Sequence, residues 1–163
     1  MFIKYNVGMR KRIFKPNSFY HIYNRGNHRN KIFYRQSDYA RFVHTMFRLK
    51  KEYCFIIYSF CLMPNHYHIL VNTGSKPEEI SKYMHRFMSS YSKYFNKRHN
   101  LIGHLFQSPY RSSYVSKEKG LSLLNEYIRN NPIKAGLVSN IECYKWYKGV
   151  SLGDQNTEIE EES

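Results

Sequence analysis

Two strand-like runs stand almost end to end in the middle of the chain. Residues 54–63 (CFIIYSFCLM) and 66–73 (HYHILVNT) are rich in β-branched and aromatic side chains, and only Pro64 and Asn65 separate them. A two-residue connection is typical of a tight hairpin, so the runs are predicted to pair as antiparallel neighbours. The fold must therefore be built around this hairpin.

A strand and a helix are predicted ahead of the hairpin. Residues 18–24 (SFYHIYN) have the composition of a strand, and the polar residues 25–27 (RGN) that follow indicate a turn. From Ser37, which we take as the N-cap, apolar residues recur at helical spacing until about Tyr53. The order up to this point is strand, helix, hairpin.

A second helix and a fourth strand are predicted after the hairpin. Pro77 suits a first helical turn, and the apolar residues between Ile80 and Phe95 form one helical stripe. Residues 105–115 (LFQSPYRSSYV) predict a strand at a sheet edge or with a bulge, because Pro109 has no N–H to donate. The complete order is that of the ferredoxin-like βαββαβ fold, an α+β architecture with an antiparallel sheet.

The remaining segments are predicted to pack onto the same domain. An additional C-terminal helix spans about residues 117–131 and should end at Pro132, because proline cannot continue the helical hydrogen bonding. Residues 136–146 are expected to fold back over the domain. We therefore assign residues 1–148 to a single domain and residues 149–163 to an acidic, flexible tail.

The chain is strongly basic. Lys and Arg number 26 against 12 Asp and Glu, a net charge of +14, and five of the acids lie in the last ten residues. The part before them carries 26 minus 7, or +19. Such an excess, interleaved with aromatic side chains, favours a nucleic acid as partner. An anionic membrane surface is the alternative, but the basic residues do not gather in one amphipathic helix, and the longest nearly apolar run, residues 54–63, is about half of a membrane span.

The cysteines indicate reduced thiols. Cys54, Cys61 and Cys143 are an odd number with no CxxC pair, which favours a cytoplasmic protein. Buried cysteines of this kind usually act as small apolar residues. A structural zinc site with Cys54, Cys61 and His66 is an alternative, although the spacing matches no common zinc pattern.

Two histidines of the second hairpin strand share one face. His66 and His68 are two residues apart, so their imidazoles leave the same side of the strand while Tyr67 points to the other. Two neutral imidazoles side by side could bind a metal ion. On spacing alone, a metal site and a purely structural pair remain equally good interpretations.

Tyr127 and Asn131 lie one turn apart on the flank of the last helix. At about 100° per residue, Leu121, Leu124 and Ile128 fall in one narrow sector, which is predicted to pack on the sheet. Tyr127 could then hold its hydroxyl over the sheet face, and Asn131 could reach the same place. Position alone does not distinguish Tyr127 from an ordinary tyrosine at the core rim, because the chain has 16 tyrosines.

Four sequence blocks resemble one known family. They are residues 20–33 (YHIYNRGNHRNKIF), 63–71 (MPNHYHILV), 105–115 (LFQSPYRSSYV) and 123–138 (LLNEYIRNNPIKAGLV). In order and spacing they are similar to the single-tyrosine HUH transposases, above all to the REP-associated tyrosine transposases, relatives of the enzymes of small insertion sequences. The resemblance extends from Phe19 to about Val138.

The resemblance implies a metal-dependent nuclease and strand transferase. His66 and His68 would ligate Mg²⁺ or Mn²⁺, and Tyr127 would attack a phosphate of single-stranded DNA to form a 5′-phosphotyrosine link and a free 3′-hydroxyl. Asn131 matches a position from which a polar side chain completes the metal site, commonly a glutamine, which is longer by one methylene. A phenol is a poor nucleophile at neutral pH, so a nearby metal ion agrees with this chemistry.

The resemblance also implies a DNA partner with a hairpin and a flanking single strand. Phosphate contacts would hold the duplex, and stacking would hold the unpaired bases. Five polar or basic residues on or near the predicted site are the expected DNA contacts, although each also fits an ordinary solvated side chain: Arg25, Asn27, Arg29, Arg111 and Lys134.

A second hypothesis is a related module that binds hairpin DNA or RNA without cutting it. The joint presence of His66, His68 and Tyr127 favours activity, because a pure binder needs none of them. The resemblance leaves the oligomeric state open: the insertion-sequence relatives act as homodimers in which each tyrosine helix serves the partner's metal site, and the REP-associated branch as monomers. An enzyme of this kind would work in the cytoplasm, on nucleoid DNA.

Overall fold

An antiparallel sheet built on the predicted hairpin organises the structure. The computed structural model describes residues 12–116, 119–149 and 159. Within these ranges the strands are β1 (Phe19–Arg25), β2 (Ile56–Met63), β3 (His66–Asn72), β4 (Arg111–Val115) and β5 (Tyr147–Gly149), and the helices are α1 (Gln36–Lys50), α2 (Glu79–His99) and α3 (Lys119–Lys134). The strand order is β4-β1-β3-β2-β5, and every pairing is antiparallel. The α+β class and the ferredoxin-like arrangement of the first four strands are confirmed.

The segment after α3 folds back on the domain as predicted and adds a fifth strand. β5 pairs with β2, with Tyr147 opposite Cys61. Just before it, the buried Trp146 ring stacks on Tyr39, with 4.9 Å between the ring centroids. A strand of three residues is too short to show an alternating pattern, so the sequence did not indicate it.

The expected N-cap of α1 is wrong. The helix begins at Gln36 with Arg35 as its N-cap, so Ser37 lies inside the first turn. Asp38, the third helical residue, accepts a hydrogen bond from the backbone N–H of Arg35, as a carboxylate does in a capping box. The helix start is therefore set by the carboxylate at the third position and not by a serine hydroxyl at the N-cap.

The predicted end of the last helix at Pro132 is also wrong, because α3 continues to Lys134. Proline removes a single helical hydrogen bond, and near the helix end few bonds remain to be lost. The helix ends instead in a Schellman motif around Gly136, whose φ is +68°. The Leu137 N–H donates to the Pro132 carbonyl and the Gly136 N–H to the Ile133 carbonyl, both at 2.9 Å.

The fourth strand is shorter than predicted. Residues 105–110 form a loop with a single bridge between Phe106 and Gly26, and β4 begins only after Pro109. Because Pro109 has no N–H, the regular ladder starts beyond it. β4 lies at the edge of the sheet, as its proline predicted.

Side chains on the two faces of the sheet form two separate cores. The core between the sheet and α1 and α2 is rich in aromatic rings and includes Tyr67, Phe42 and Phe87. The core on the α3 face is smaller and includes Leu70 and Ile128. Both faces of the central strand β3 are therefore buried.

Asp38 ties the start of α1 to the end of α2. Its buried carboxylate accepts hydrogen bonds from the N–H groups of Tyr34 and Arg35 at 2.9 Å. It also accepts from the Tyr94 hydroxyl at 3.1 Å and from His99 Nε2 at 3.0 Å. Burial raises the pKa of Asp38, but the hydrogen bonds from Arg35, Tyr34 and His99 outweigh this effect and hold the pKa below its ordinary value.

The cysteines lie apart from one another. Cys61 is buried on the α3 face of β2, and burial raises the pKa of its thiol to about 12. Cys54 and Cys143 are exposed. Among residues 12–116, 119–149 and 159, no group of three or more His, Cys, Asp or Glu side chains is arranged to hold a metal ion. The alternative of a zinc site with Cys54, Cys61 and His66 therefore has no support in the described structure.

Parts of the two chain ends lie outside the residues that the structure describes. Most of the predicted acidic tail, residues 149–163, is among the residues not described. Ile159 is described: its side chain is buried, and its N–H donates to the Ile57 carbonyl at 3.3 Å. None of the helices in the described ranges is long and apolar enough to cross a membrane.

Replacing Asp38 with Asn is expected to lower the free energy of unfolding by about 1.5–3 kcal/mol at pH 7, the range for hydrogen bonds to a charged group. Because the folded-state pKa is depressed, this stability is present above the unfolded-state pKa and is lost as the pH falls through the folded-state value. Urea unfolding of wild type and variant should therefore differ at pH 7 and converge in acid. The exposed Glu52, paired with Arg86, is the control: Glu52→Gln should change stability far less. Equal losses in the two variants would contradict this account.

Two of the three thiols are expected to react with a thiol reagent in the native protein. Cys54 and Cys143 are exposed, and Cys61 is buried with a raised pKa. Reagent titration followed by peptide mapping should label Cys54 and Cys143 at once and Cys61 only after denaturation. Added Zn²⁺ should not slow the labelling of Cys54. Protection of Cys54 by Zn²⁺ would restore the zinc alternative.

Candidate active site

The alternation of β3 brings both histidines to the α3 face of the sheet. Tyr67, between them, is fully buried in the opposite core, as the spacing predicts. Across the sheet, His68 is opposite Tyr23 of β1, and His66 is opposite Arg25. The α3 face of β1 and β3 therefore carries polar side chains at the end where the hairpin turn lies.

His68 is buried, and only one of its two ring nitrogens has a hydrogen-bond partner among the described residues. The residue is 5% exposed, and its Nδ1 lies 2.8 Å from Nε2 of His21 on β1. Its Nε2 is buried and has no hydrogen-bond partner among the described residues. An unpaired buried polar atom costs about 1–3 kcal/mol, so this nitrogen is suited to a ligand that the fold itself does not supply.

His66 is oriented by the residue before it. Its Nδ1 lies 2.7 Å from Oδ1 of Asn65, which can only accept, so Nδ1 carries the proton and Nε2 keeps its lone pair. The amide orientation of Asn65 is fixed because its Nδ2 donates to the Arg29 carbonyl at 3.2 Å. Asn65 thus links His66 to the turn that follows β1.

The imidazoles of the site are neutral at physiological pH. Burial first, and then the neighbouring His21, His66 and Arg25, together lower the pKa of His68 to about 2. Burial and Arg25 lower the pKa of His66 to about 4, and burial lowers that of His21 to about 4. Neutral imidazole is the form that ligates metal ions.

Tyr127 stands beside His68. The buried Leu121 and Ile128 pack α3 on the sheet, as the helical spacing predicts. Tyr127 lies on the flank of that contact and is 46% exposed. The edge-to-face contact of its ring with His68 has 5.6 Å between the ring centroids.

Tyr127 and the two histidines open into one pocket of about 190 Å³. We call it the histidine–tyrosine pocket, and it is lined by Tyr23, Asn24, Arg25, His66, His68, Gln107, Arg111 and Tyr127. Arg25 and Arg111 are exposed, so the pocket joins neutral imidazole nitrogens, a hydroxyl and two guanidinium groups. That combination can receive a phosphodiester.

Asn131 does not line the histidine–tyrosine pocket. Its Nδ2 donates to the backbone carbonyl of Tyr127 at 3.1 Å, within its own helix. The structure therefore brings Tyr127 to the histidines but not Asn131, whose short side chain bonds to the preceding turn.

The other expected DNA contacts lie outside the pocket, two on the turn after β1 and one at the end of α3. Asn27 and Arg29 lie in a 3₁₀ turn after β1, which is bonded to the hairpin turn through Asn65. Arg29 has a φ of +61°, and the preceding His28 a φ of +51°. Lys134 is exposed at the end of α3 and does not line the pocket.

Several residues of the site were not predicted from the sequence. His21, which bonds to His68, and Tyr23, which stacks on His21 with 4.7 Å between centroids, share the face of Arg25 on β1. The spacing of two residues was visible in the sequence, but the pairing register with β3 was not. Gln107 was missed because it lies in a loop that was predicted to be a strand.

Divalent metal binding fits the two histidines as far as the described residues extend. Both can present Nε2, one of them buried and unpaired. No third His, Cys, Asp or Glu of the described residues completes a cluster with them. Any further ligands would be oxygen atoms of other kinds, such as water, an amide, the phenol or the phosphate, which suit Mg²⁺ and Mn²⁺.

Comparison with known proteins supports a family assignment. A sequence model of the family described as IS200-like transposases matches residues 15–131. The fold is similar to that of a REP-associated tyrosine transposase bound to a REP hairpin, with a TM-score of 0.69 and 14% identity over 96% of this chain and 100% of that chain. A crystal structure described as a candidate transposase from Deinococcus radiodurans R1 is 14% identical, with a TM-score of 0.49, over 76% of this chain and 97% of that one. No curated protein matches the chain. Because the family match covers well over half of the residues, the chain belongs to the IS200-like transposase family.

Proposed function

We propose that the protein is a metal-dependent endonuclease and strand transferase for single-stranded DNA, with Tyr127 as its nucleophile. The observation that carries this proposal is the buried, unpaired Nε2 of His68 in the same pocket as the Tyr127 ring. A ligand for that nitrogen would lie next to the hydroxyl-bearing ring. Membership of the transposase family supports a DNA-cleaving and DNA-joining activity in general.

His66 and His68 would hold Mg²⁺ or Mn²⁺ through their Nε2 atoms. With Nε2 free to bind, His68 Nδ1 carries the proton and donates to His21 Nε2, and His66 Nδ1 donates to Asn65. These two bonds fix the tautomer and orientation of each ring, as partners of ligating histidines do in metal sites. A bound divalent ion would polarise the phosphate and stabilise the phenolate.

The proposed reaction exchanges one phosphodiester for another. The Tyr127 oxygen bonds to the phosphorus, the bond from phosphorus to the 3′ oxygen breaks, and the proton lost by the phenol is balanced by the one gained at the leaving 3′-hydroxyl. The product is a 5′-phosphotyrosine link. Because the ester is conserved, the reverse reaction can join strands without an external energy source. Arg25 and Arg111 line the pocket, and their positive charges would attract the phosphate.

We propose a DNA hairpin with a single-stranded flank as the substrate. The structurally similar transposase is bound to a REP hairpin. The high positive charge of this chain favours such phosphate-rich ligands. Asn27, Arg29 and Lys134 are proposed as DNA contacts outside the pocket. Asn27 and Arg29 lie on the turn after β1 that is bonded to Asn65, and Lys134 is exposed at the end of the helix that carries Tyr127.

One chain contains both halves of the proposed site. The Tyr127 ring reaches His68 of the same chain, which supports action in cis by a monomer. We assign the activity to a single domain, residues 1–148, and treat the acidic segment of residues 149–163 as an appended tail. The proposed site of action is nucleoid DNA in the cytoplasm.

Tyr127→Phe is expected to abolish a covalent protein–DNA adduct. Hairpin oligonucleotides with single-stranded flanks, incubated with Mn²⁺, should give an adduct that survives denaturing electrophoresis with wild type and not with the variant. Tyr34→Phe is the matched control, since Tyr34 is equally exposed, at 50%, and lies outside the pocket. An adduct formed by Tyr127→Phe would show that another residue is the nucleophile. Tight binding of the hairpin with no adduct, from wild type or from either variant, would favour a hairpin-binding module that does not cut.

His68→Ala is expected to abolish cleavage and detectable Mn²⁺ binding while most DNA affinity remains, because affinity depends mainly on phosphate contacts. Asn65→Ala should weaken Mn²⁺ binding by about 10- to 100-fold, the usual effect of losing a group that orients a ligating histidine. Mn²⁺ titration followed by electron paramagnetic resonance measures both.

The exposed His104, which lies outside the histidine–tyrosine pocket, provides the control. His104→Ala should leave Mn²⁺ binding and cleavage unchanged. Full Mn²⁺ affinity in His68→Ala would exclude His68 as a ligand.

A further inference from the structure

A second cleft opens on the opposite face of the sheet. It has a volume of about 420 Å³ and lies between one side of α2 and residues 106–110, which lead into β4. We call it the α2 cleft. Its volume is within the range of about 300–1,000 Å³ that is usual for sites of small ligands.

The α2 cleft has an apolar surface and a hydroxyl-lined wall. Met84, Met88 and Phe106 supply the apolar side chains. Met88 is held in place because its sulfur accepts a hydrogen bond from the buried Tyr67 hydroxyl at 3.1 Å. Ser89, on the same side of α2, lines the cleft as well, together with Ser81 and Ser92 of the neighbouring turns. A flat ring with polar edges matches this lining, because it can stack on methionine and phenylalanine and bond to hydroxyls.

The charge at the cleft is suited to a nucleotide. None of the described residues that line it is acidic, and Arg12 lies among them. The Arg12 guanidinium donates to the Tyr110 carbonyl at 2.7 Å and lies 4.3 Å from the centroid of the Tyr110 ring. A guanidinium held in this way can face the phosphate of a nucleotide whose base enters the cleft.

The α2 cleft and the histidine–tyrosine pocket meet at the end of β1. Asn24 lines both, and its side chain is fixed by bonds to the Ser108 carbonyl and the Arg25 N–H, each at 2.9 Å. Phe106 lines the cleft, and the next residue, Gln107, lines the pocket. A single strand that crosses this edge can therefore enter both sites.

We propose that the α2 cleft binds an unpaired base of the same DNA strand whose phosphate enters the histidine–tyrosine pocket. This inference rests on the proposed function and names a subsite for its substrate. Because serine hydroxyls both donate and accept, the cleft accepts all four bases and holds them by stacking and shape. It fixes which phosphate of the flank reaches Tyr127.

An abasic scan tests the base site without relying on cleavage. The probe is selected from a pool of DNA hairpins whose single-stranded flank is randomised. It is the member of the pool that binds most tightly to the full-length Tyr127→Phe protein. Abasic sites are then placed one at a time along the flank. One position is expected to lose affinity by about 10-fold, within the range for loss of a stacked base. The loss should be similar whichever base that position carries.

A large side chain that fills the α2 cleft should remove the loss of affinity caused by the abasic site. Ser89→Phe and, independently, Ser92→Phe, each in the Tyr127→Phe background, should bind intact and abasic probes equally. Ser139→Phe makes the same exchange at an exposed position after α3 and should leave the 10-fold effect intact. Circular dichroism confirms the fold of each variant. 2-Aminopurine at the position found by the abasic scan should show the fluorescence of a stacked base when bound to the Tyr127→Phe protein. This measurement does not depend on whether the variants with a filled cleft fold.

The outcomes separate this inference from the proposed function. A covalent adduct from wild type together with a flat abasic scan overturns the base site alone. An abasic effect that persists in the folded, filled variants overturns it as well. A localised effect that the filling variants remove, without any adduct from wild type, supports the base site and contradicts the proposed nuclease. Failure of every hairpin in the pool to bind overturns both.

Discussion

The alternation of side chains along β3 is the constraint on which the candidate site depends. β3 is paired on both sides and buried on both faces, so its register is determined by two cores at once. A slip of one residue would send Tyr67 to the α3 face and both histidines into the aromatic core. The packing that stabilises the fold therefore also fixes the direction of the two imidazoles.

The same packing leaves one polar atom unsatisfied. His68 is buried with Nδ1 bonded to His21 and Nε2 without a partner in the described structure. Folded proteins rarely leave such an atom unpaired unless an ordered water, an ion, a ligand or a reaction uses it. The low pKa values of His68 and His66 have the same origin, since burial keeps both rings neutral, the form in which imidazole can ligate a metal ion.

Much of the fold could be predicted from the sequence, because local patterns determine it. The spacing of two in β3 and the spacing of three and four in α3 gave the faces of His66, His68 and Tyr127. The helix boundaries at Ser37 and Pro132 were misplaced because the local bonds of the Asp38 carboxylate and of the turn at Gly136 set the helix ends instead. The strand β5 was missed because its three-residue pairing depends on a tertiary partner, β2. The bond between His21 and His68 was hidden for the same reason: it requires the register between β1 and β3. Asn131 was expected at the metal site, yet its amide bonds to its own helix.

The central claim is that Tyr127 and the two histidines act on one phosphate. The most direct measurement is a crystal structure of the Tyr127→Phe protein with hairpin DNA and Mn²⁺, with the metal located by its anomalous scattering. The account predicts one Mn²⁺ bound by Nε2 of His66 and His68, and a phosphate between that ion and the ring of residue 127. A metal ion bound elsewhere, or a phosphate path that bypasses that ring, would contradict it.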